Sequence, residues 1–227
     1  MVGTIVNTGA IIIGTLAGSI LKKGIKVKYQ ETLFNAMGFA AVALGINSIV
    51  NNLPNSNYPV LFIVSLALGS LVGAMLNIDE RFQRLTKKYS KSNLGQGLST
   101  GILLFCIGTL SILGPVMSAT KGDNTYLYTN ATLDLVTSMV LASTYGIGIV
   151  FAAPVLFLWQ GGIYLVARFL SDSFFSPELM TELSVVGGVL IAISGLSILK
   201  IKDGKALNML PALLVPIIFF IIKSILY

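Results

Sequence analysis

The chain of 227 residues contains no histidine and one cysteine, Cys106. The first absence excludes histidine-based metal sites and the Ser-His and Cys-His nucleophile pairs. A single cysteine, set inside an apolar run, makes neither a disulfide framework nor a thiolate cluster. Charge is scarce too: 11% of residues are Asp, Glu, Lys or Arg, against about 25% in a soluble domain. No phosphate loop, GxGxxG or zinc spacing occurs, and no Pro/Ser-rich linker or low-complexity tract divides the chain. The expectation is a protein that is not an enzyme and takes no cofactor and no metal cofactor.

What remains is apolar. Hydrophobic residues make up 55% of the chain, and the mean hydropathy is +0.87. The few charges sit in short clusters between long apolar runs, which is the pattern of a membrane protein. The net charge of +6 is accounted for by Lys and Arg beside those runs, as topology signals and contacts to anionic lipid, so no nucleic-acid partner is expected. The start, MVGTIVNTGAIIIGTLAGSILKK, lacks a basic region before its apolar stretch. It reads as a retained first membrane helix, not as a signal peptide.

Apolar spans lie near residues 3–21, 32–50, 58–76, 98–117, 133–170, 183–199 and 207–226. A crossing helix needs about 20 residues. The run 133–170 is too long for one ordinary helix and barely long enough for two. The chain therefore has seven or eight spans, and one of its segments is broken, re-entrant or doubly crossing. Lys22, Lys23, Lys26 and Lys28 follow the first span, and Arg81, Arg84, Lys87, Lys88 and Lys91 follow the third. The intervening NNLPNSN is uncharged. The positive-inside rule then places the N-terminus outside. One crossing in 133–170 would put Asp172 and Glu178 inside and KIKDGK outside. Two crossings reverse both, in keeping with the rule.

Three spans share a pattern: GFAAVALGINSIV from Gly38, GILLFCIGTLSIL from Gly101 and GVLIAISGLSIL from Gly188. The helices preceding the first two also match, GTLAGSIL from Gly14 and GSLVGAML from Gly69. The chain thus looks like one transmembrane domain, 1–227, built from helix pairs, with a first repeat of about 3–76 and a second of about 146–226. Two crossings in 133–170 make the repeats inverted, as in secondary transporters; one crossing makes them parallel. Glycines at this spacing, Gly14 and Gly18 among them, also serve simply to let helix backbones approach.

Few residues can carry chemistry. Asp134 opens the overlong run. It is either an intramembrane site for a cation or proton, or an interfacial acid in the first turn of its helix with Asn130 or Thr132 as cap. Asn7 and Gln160 are amides within spans, able to bridge helices or contact a solute. Gly146, Gly148, Pro154, Gly161 and Gly162 make the overlong segment breakable, either to expose carbonyls or to form a tight hairpin. Asn208 and Pro211 read as a helix start, Asn208 as its cap.

GTIVNTGAIIIGTLAGSILKKG, LYTNATLD, GIGIVFAAPVLFLWQGG and ALNMLPALL together resemble the YdfK/YqgA-like family of prokaryotic integral membrane proteins, over essentially the whole chain. The likeness departs at Asn130, where lysine is expected, and at Leu135, where glycine is expected. Asn130 removes a possible ion-pair partner of Asp134. The resemblance implies a polytopic bacterial membrane protein of a group described as membrane or transport proteins.

Composition, pattern and resemblance lead to an all-α polytopic helix bundle, multi-pass in the bacterial plasma membrane. The expected function is passage of a small solute or cation by a transporter or channel. Asp134, Asn7, Gln160 and Asn130 are its candidate binding residues, and a homodimer in the lipid bilayer its expected state. The alternative is a non-transporting scaffold or partner-binding subunit.

Overall fold

The computed structural model of the chain describes residues 1–21, 26–81, 84, 98, 101–102, 104–106, 109–170, 176–202 and 204–226. Lys22, Lys23, Lys87, Lys88, Lys91, Gly108 and Asp172, on which parts of the topology and repeat arguments fall, lie outside those residues. No strand occurs among the described residues. The helices are α1 (Val2–Ile20), α2 (Val27–Asn52), α3 (Leu61–Met75), α4 (Thr109–Thr120), α5 (Thr125–Tyr145), α6 (Ala152–Leu170), α7 (Pro177–Ile198), the short α8 (Ala206–Met209) and α9 (Leu214–Leu226). Single 3-10 turns at Leu53–Asn55, Ile147–Phe151 and Leu210–Leu213 join or extend them.

Helix boundaries follow from local chemistry. Ser176 starts α7: its side chain accepts from the Leu179 N–H at 3.2 Å, and Pro177 takes the first helical position, where no N–H is needed. Gly146 ends α5 with φ +89, a conformation that costs a residue with a Cβ dearly. The run 133–170 is consequently two helices. One begins upstream at Thr125 and has 21 residues; the other begins at Ala152 and has 19.

The helices are inside-out by the standard of a soluble protein. On α1 the buried face is Gly3, Thr4, Asn7, Ala10, Ile11, Gly14, Thr15 and Gly18, while Val2, Ile5, Val6, Ile13 and Leu16 are exposed. On α3 Ser65, Gly69 and Gly73 are buried and Ile63, Leu68 and Leu71 face outward. Polar and small residues within and branched aliphatics without is the arrangement expected where the surroundings are lipid. Among the described residues five helical stretches are long and apolar enough to cross a bilayer: Val2–Ile20, Val27–Asn55, Ile147–Phe169, Pro177–Ile198 and Ala206–Lys223.

The chain forms two compact units, each discontinuous in sequence. The first is Met1–Ala36 with Phe82–Ser171, the second Met37–Arg81 with Asp172–Tyr227. In the first unit α1 runs parallel to α5. Gly3 faces Asn124 and Leu127, Gly14 faces Leu135 and Ser138, and Gly18 faces Met139. At Gly14 and Gly18 the approach is backbone to backbone, against the Leu135 and Met139 carbonyls. Helix α6 runs the other way along α1: Gly161 lies opposite Met1, and Leu156 shares a core cluster with Ile11. Helix α4 is parallel to α6, since Ser111 meets Gln160 and Ala119 meets Arg168.

In the second unit the glycines of α2 and α7 interlock. A Cβ on Gly38 would lie 3.1 Å from the Gly195 carbonyl oxygen, and one on Gly195 2.7 Å from that of Gly38. Gly45 and Gly188 stand in the same reciprocal relation, at 2.5 and 2.8 Å. The helices are antiparallel, and Ser48 Oγ donates to the Ser184 carbonyl at 2.8 Å beside the contact. Gly69 and Gly73 of α3 likewise pack antiparallel on Ala212 and Asn208.

Asn208 does not cap a helix as the sequence suggests. Helix α8 begins two residues earlier at Ala206, and Asn208 Oδ1 instead accepts from the Asp79 N–H at 2.8 Å, tying this segment to the end of α3.

A buried polar cluster around Asp134 as candidate functional site

Asp134 stands at the tenth position of α5, counted from Thr125, and is 4% exposed. The reading of an acid in the first turn of its helix, capped by Asn130 or Thr132, therefore fails. Helix α5 starts earlier because Asp123 and Asn124 nucleate it: Asp123 Oδ1 accepts from the Thr125 N–H at 2.9 Å, and Asn124 precedes the first turn. Asp134 is thus carried two and a half turns into the helix, on the side that α1 covers. A carboxylate at the centre of a membrane helix costs about 2.5–3.5 kcal/mol unless it is compensated.

Its compensation is polar but not cationic. Asn130, one turn earlier, donates from Nδ2 to Asp134 Oδ2 at 3.0 Å, and both residues are buried. Asn7 of α1 reaches toward the same carboxylate, yet neither Asn7 Nδ2 nor Oδ1 finds a hydrogen-bond partner of normal geometry. Cys106 belongs to the apolar cluster of Ile11, Ala142, Ile149 and Leu156.

Gln160 of α6 is wholly buried. Its Nε2 donates to Ser111 Oγ at 2.9 Å, leaving Oε1 without a donor. Pro115 lies inside α4, and its missing N–H deprives the Ser111 carbonyl of its usual helical partner. Because Gly161 is opposite Met1, Gln160 stands near the first turn of α1. That turn carries Thr4. The fold therefore pairs Asn130 with Asp134 on the face of α5 that α1 covers, and Gln160 with Ser111 of α4.

Of the glycine and proline positions, Gly146 is the break between α5 and α6, and Gly148 lies in the 3-10 turn after it. Pro154 occupies the first turn of α6. Gly161 and Gly162 lie inside the unbroken α6, and Gly162 has nothing within 4 Å of a Cβ. Gly14 and Gly18 are the close approach of α1 to α5.

Sequence reasoning missed several buried polar groups. Thr4 and Thr15 are fully buried on α1, and neither hydroxyl oxygen has a partner. Their position on the helical face shared by Asn7 and Gly14 was a usable signal. Asn124 was also missed. Its Oδ1 accepts from Gly3 N–H at 3.3 Å and from Ser118 Oγ at 2.8 Å, so it occupies one of the free donors at the start of α1. In the second unit Glu182 is 1% exposed and accepts from Ser56 Oγ at 2.5 Å. The Ser176–Pro177 start signal would have placed it inside α7.

Comparison with known proteins agrees with the apolar, all-helical structure. A family model described as "Protein of unknown function (DUF554)" matches residues 2–221. The "Uncharacterized membrane protein YdfK" of Bacillus subtilis (strain 168) is 59% identical over 225 residues, covering 99% of this chain and 98% of the relative. The "Uncharacterized protein YqgA" of Escherichia coli (strain K12) is 28% identical over 226 residues, covering 94% of each. No solved structure matches.

Proposed function

We propose, from the premise that this chain belongs to the DUF554 family, that it is a multi-pass transporter or channel of the bacterial plasma membrane that moves a small solute or ion past Asp134. The observation that carries this reading is a carboxylate buried deep in a helix, with an unpaired amide, Asn7, beside it. A protein that served only to fill the bilayer gains nothing from such a group, whereas a solute path needs one.

The helix directions support eight crossings, and the positive-inside rule puts the N-terminus outside. With α1 running inward, alternation through eight helices makes α5 run inward and α6 outward. The first unit has α5 parallel to α1 and α6 antiparallel to it. The second unit has α2 antiparallel to α7, and α3 antiparallel to the α8–α9 segment, again as alternation requires. A single crossing for α5 and α6 together breaks this agreement. Eight crossings also leave Lys200, Lys202 and Lys205 inside, with the other basic clusters.

The same contacts favour inverted repeats of about 3–76 and 146–226. Each helix of the first lies antiparallel to its counterpart in the second: α1 to α6 in one unit, α2 to α7 and α3 to α9 in the other. Gly38 corresponds to Gly188 in the shared pattern, yet it packs on Gly195, while Gly45 packs on Gly188. Such reciprocity is what a two-fold relation requires, and inverted repeats are characteristic of secondary transporters. A homodimer completes the reading, on the ground that a chain this small gains a sufficient framework by pairing. The scaffold alternative would use the glycine faces to hold a partner. Gly14, Gly18, Gly38, Gly45, Gly69, Gly73, Gly188 and Gly195 are already packed against the chain's own helices.

Flux in proteoliposomes tests the proposal. Vesicles holding a pH-sensitive dye, challenged with gradients of small cations and polar solutes, should show a response with the native protein. Asp134→Asn should abolish it at unchanged expression. If the native protein moves nothing and Asp134→Asn merely lowers yield, the acid is structural and the proposal is rejected.

A further inference from the structure

Resting on that reading and narrowing it to the ion, we propose that Asp134 exchanges a proton and that the Asn7 amide turns with its protonation state. Asn7 is fully buried, and Asp134 is 4% exposed. On α1, Asn7 lies between Gly3, which faces Asn124 and Leu127 of the α5 end, and Gly14, which faces Leu135 and Ser138. This register puts Asn7 level with Asn130, one turn before Asp134. The Asp134 carboxylate leans back to that level, as side chains tilted toward a helix start do, and takes the Asn130 Nδ2 bond there. Asn7 reaches toward the same carboxylate from α1.

The surroundings supply no counter-charge. Apart from Asp134, no Asp, Glu, Lys or Arg occurs in α1, α4, α5 or the turn Ile147–Phe151. Arg168 of α6 donates to the Ala119 carbonyl and lies beyond the Met1 end of α1, since Gly161 is already opposite Met1. Lys121 and Asp123 precede α5 at that same end, and at 1.5 Å per residue Asp123 is about 16 Å from Asp134. The other titratable side chains on the packed elements are Cys106, in the apolar cluster with Ile11, Tyr126, Tyr128 and Tyr145 of α5, and Tyr164 of α6.

The ligand set selects the ion. A metal cation gives up its water only for a shell of several oxygens. Among the described residues no three of His, Cys, Asp and Glu come together, and the amide beside Asp134 adds one free oxygen, Asn7 Oδ1. A proton needs a single carboxylate oxygen. Asn7 then accounts for both states. Its Nδ2 and Oδ1 both lack a partner, each at a desolvation cost. An amide carries donors on one side and an acceptor on the other, and its last torsion is broad and two-fold. With Nδ2 turned to the ionised carboxylate it donates; with Oδ1 turned to the neutral acid it accepts the carboxyl O–H. Asn130 does not take this part, because its Nδ2 is already committed to Asp134 Oδ2. In the exchange an O–H bond forms on Asp134 as hydronium at one membrane face gives up its proton. The bond breaks when water from the other face takes that proton.

The test is infrared difference spectroscopy of the full chain in lipid, between acid and alkaline buffer. The expected result is a carboxylic C=O band present in acid and lost in alkali, absent from Asp134→Asn and retained in Glu182→Gln, the control for the buried acid of the second unit. Asn7→Leu should keep the band and move it to higher frequency, because the carboxyl O–H has lost its acceptor. A role for Asn7 in packing alone would leave the frequency unchanged. Asn7→Leu also decides the matter if Asp134→Asn does not fold.

The absence of such a band overturns the inference, as does a band that persists in Asp134→Asn. A band that never changes with pH overturns it too, since Asp134 would then hold its proton permanently. An unmoved band in Asn7→Leu refutes the turning amide. Solute flux indifferent to an imposed pH gradient, with no titrating band, refutes the proton site and leaves the transport reading standing. A titrating Asp134 band in a protein that moves nothing does the reverse.

Discussion

Asn130 Nδ2 donates to Asp134 Oδ2 across 3.0 Å, one turn apart on the buried face of α5. The pair joins a neutral donor to a carboxylate where a cationic partner would complete the charge. Asn130→Lys should supply that cation from within the chain, as a tethered ammonium four residues before the acid. The expected variant folds and loses solute flux. Continued flux in Asn130→Lys proteoliposomes would show that the Asp134 charge is not what the solute meets.

Asp123 lies between α4 and α5, and Lys202 follows α7. Three helices separate them, so eight crossings put them on opposite sides of the membrane. In a Cys106→Ser background, Asp123→Cys should react with a membrane-impermeant maleimide in intact cells and Lys202→Cys should not. Labelling of both, or of neither, would mean that α5 and α6 cross together only once. Labelling of Lys202→Cys alone would invert the orientation.

Gly45 and Gly188 face each other's carbonyls at 2.5 and 2.8 Å from where a Cβ would stand. Alanine at either should cost about 1–3 kcal/mol, as overpacking does, and lower the thermal midpoint in detergent. Gly9, with nothing within 4 Å, provides the control. Gly9→Ala should be neutral or slightly stabilising through helix propensity.

Gly146 also has open space around it, but its φ is +89. Gly146→Ala therefore meets no neighbour and strains only the backbone, at about 1–3 kcal/mol. Limited proteolysis of the detergent-purified variant should reveal this as faster cleavage between α5 and α6.

Glu182 is held by Ser56 Oγ at 2.5 Å, and Ser56 Oγ in turn accepts from the Tyr58 N–H at 3.0 Å. Ser56→Ala deprives a buried carboxylate of a donor and should destabilise the second unit by about 1.5–3 kcal/mol. Ser56→Thr, which keeps the hydroxyl, should restore most of the loss. Equal midpoints for native protein and Ser56→Ala would mean that Glu182 does not depend on this bond.

Much of this protein was determined by its sequence alone. Long apolar runs with charges confined between them require helices, because backbone polar groups in lipid must be satisfied within their own segment. Gly38, Gly45, Gly188 and Gly195 were visible as a recurring spacing, since close helix packing demands small residues at fixed intervals. Asp134, Asn7, Asn130 and Gln160 stood out because polar side chains in such runs are rare. Tertiary structure alone decided which of these meet. The start of α5 lies in the polar stretch before the apolar run, where Asp123 and Asn124 set it. Only that placement carries Asp134 from a helix end to a buried middle. The reciprocal pairing of Gly38 with Gly195 and Gly45 with Gly188, and the approach of Gly14 to Leu135, depend on helix direction and register. Those are set by contacts between residues more than a hundred positions apart, which periodicity along a single segment does not encode.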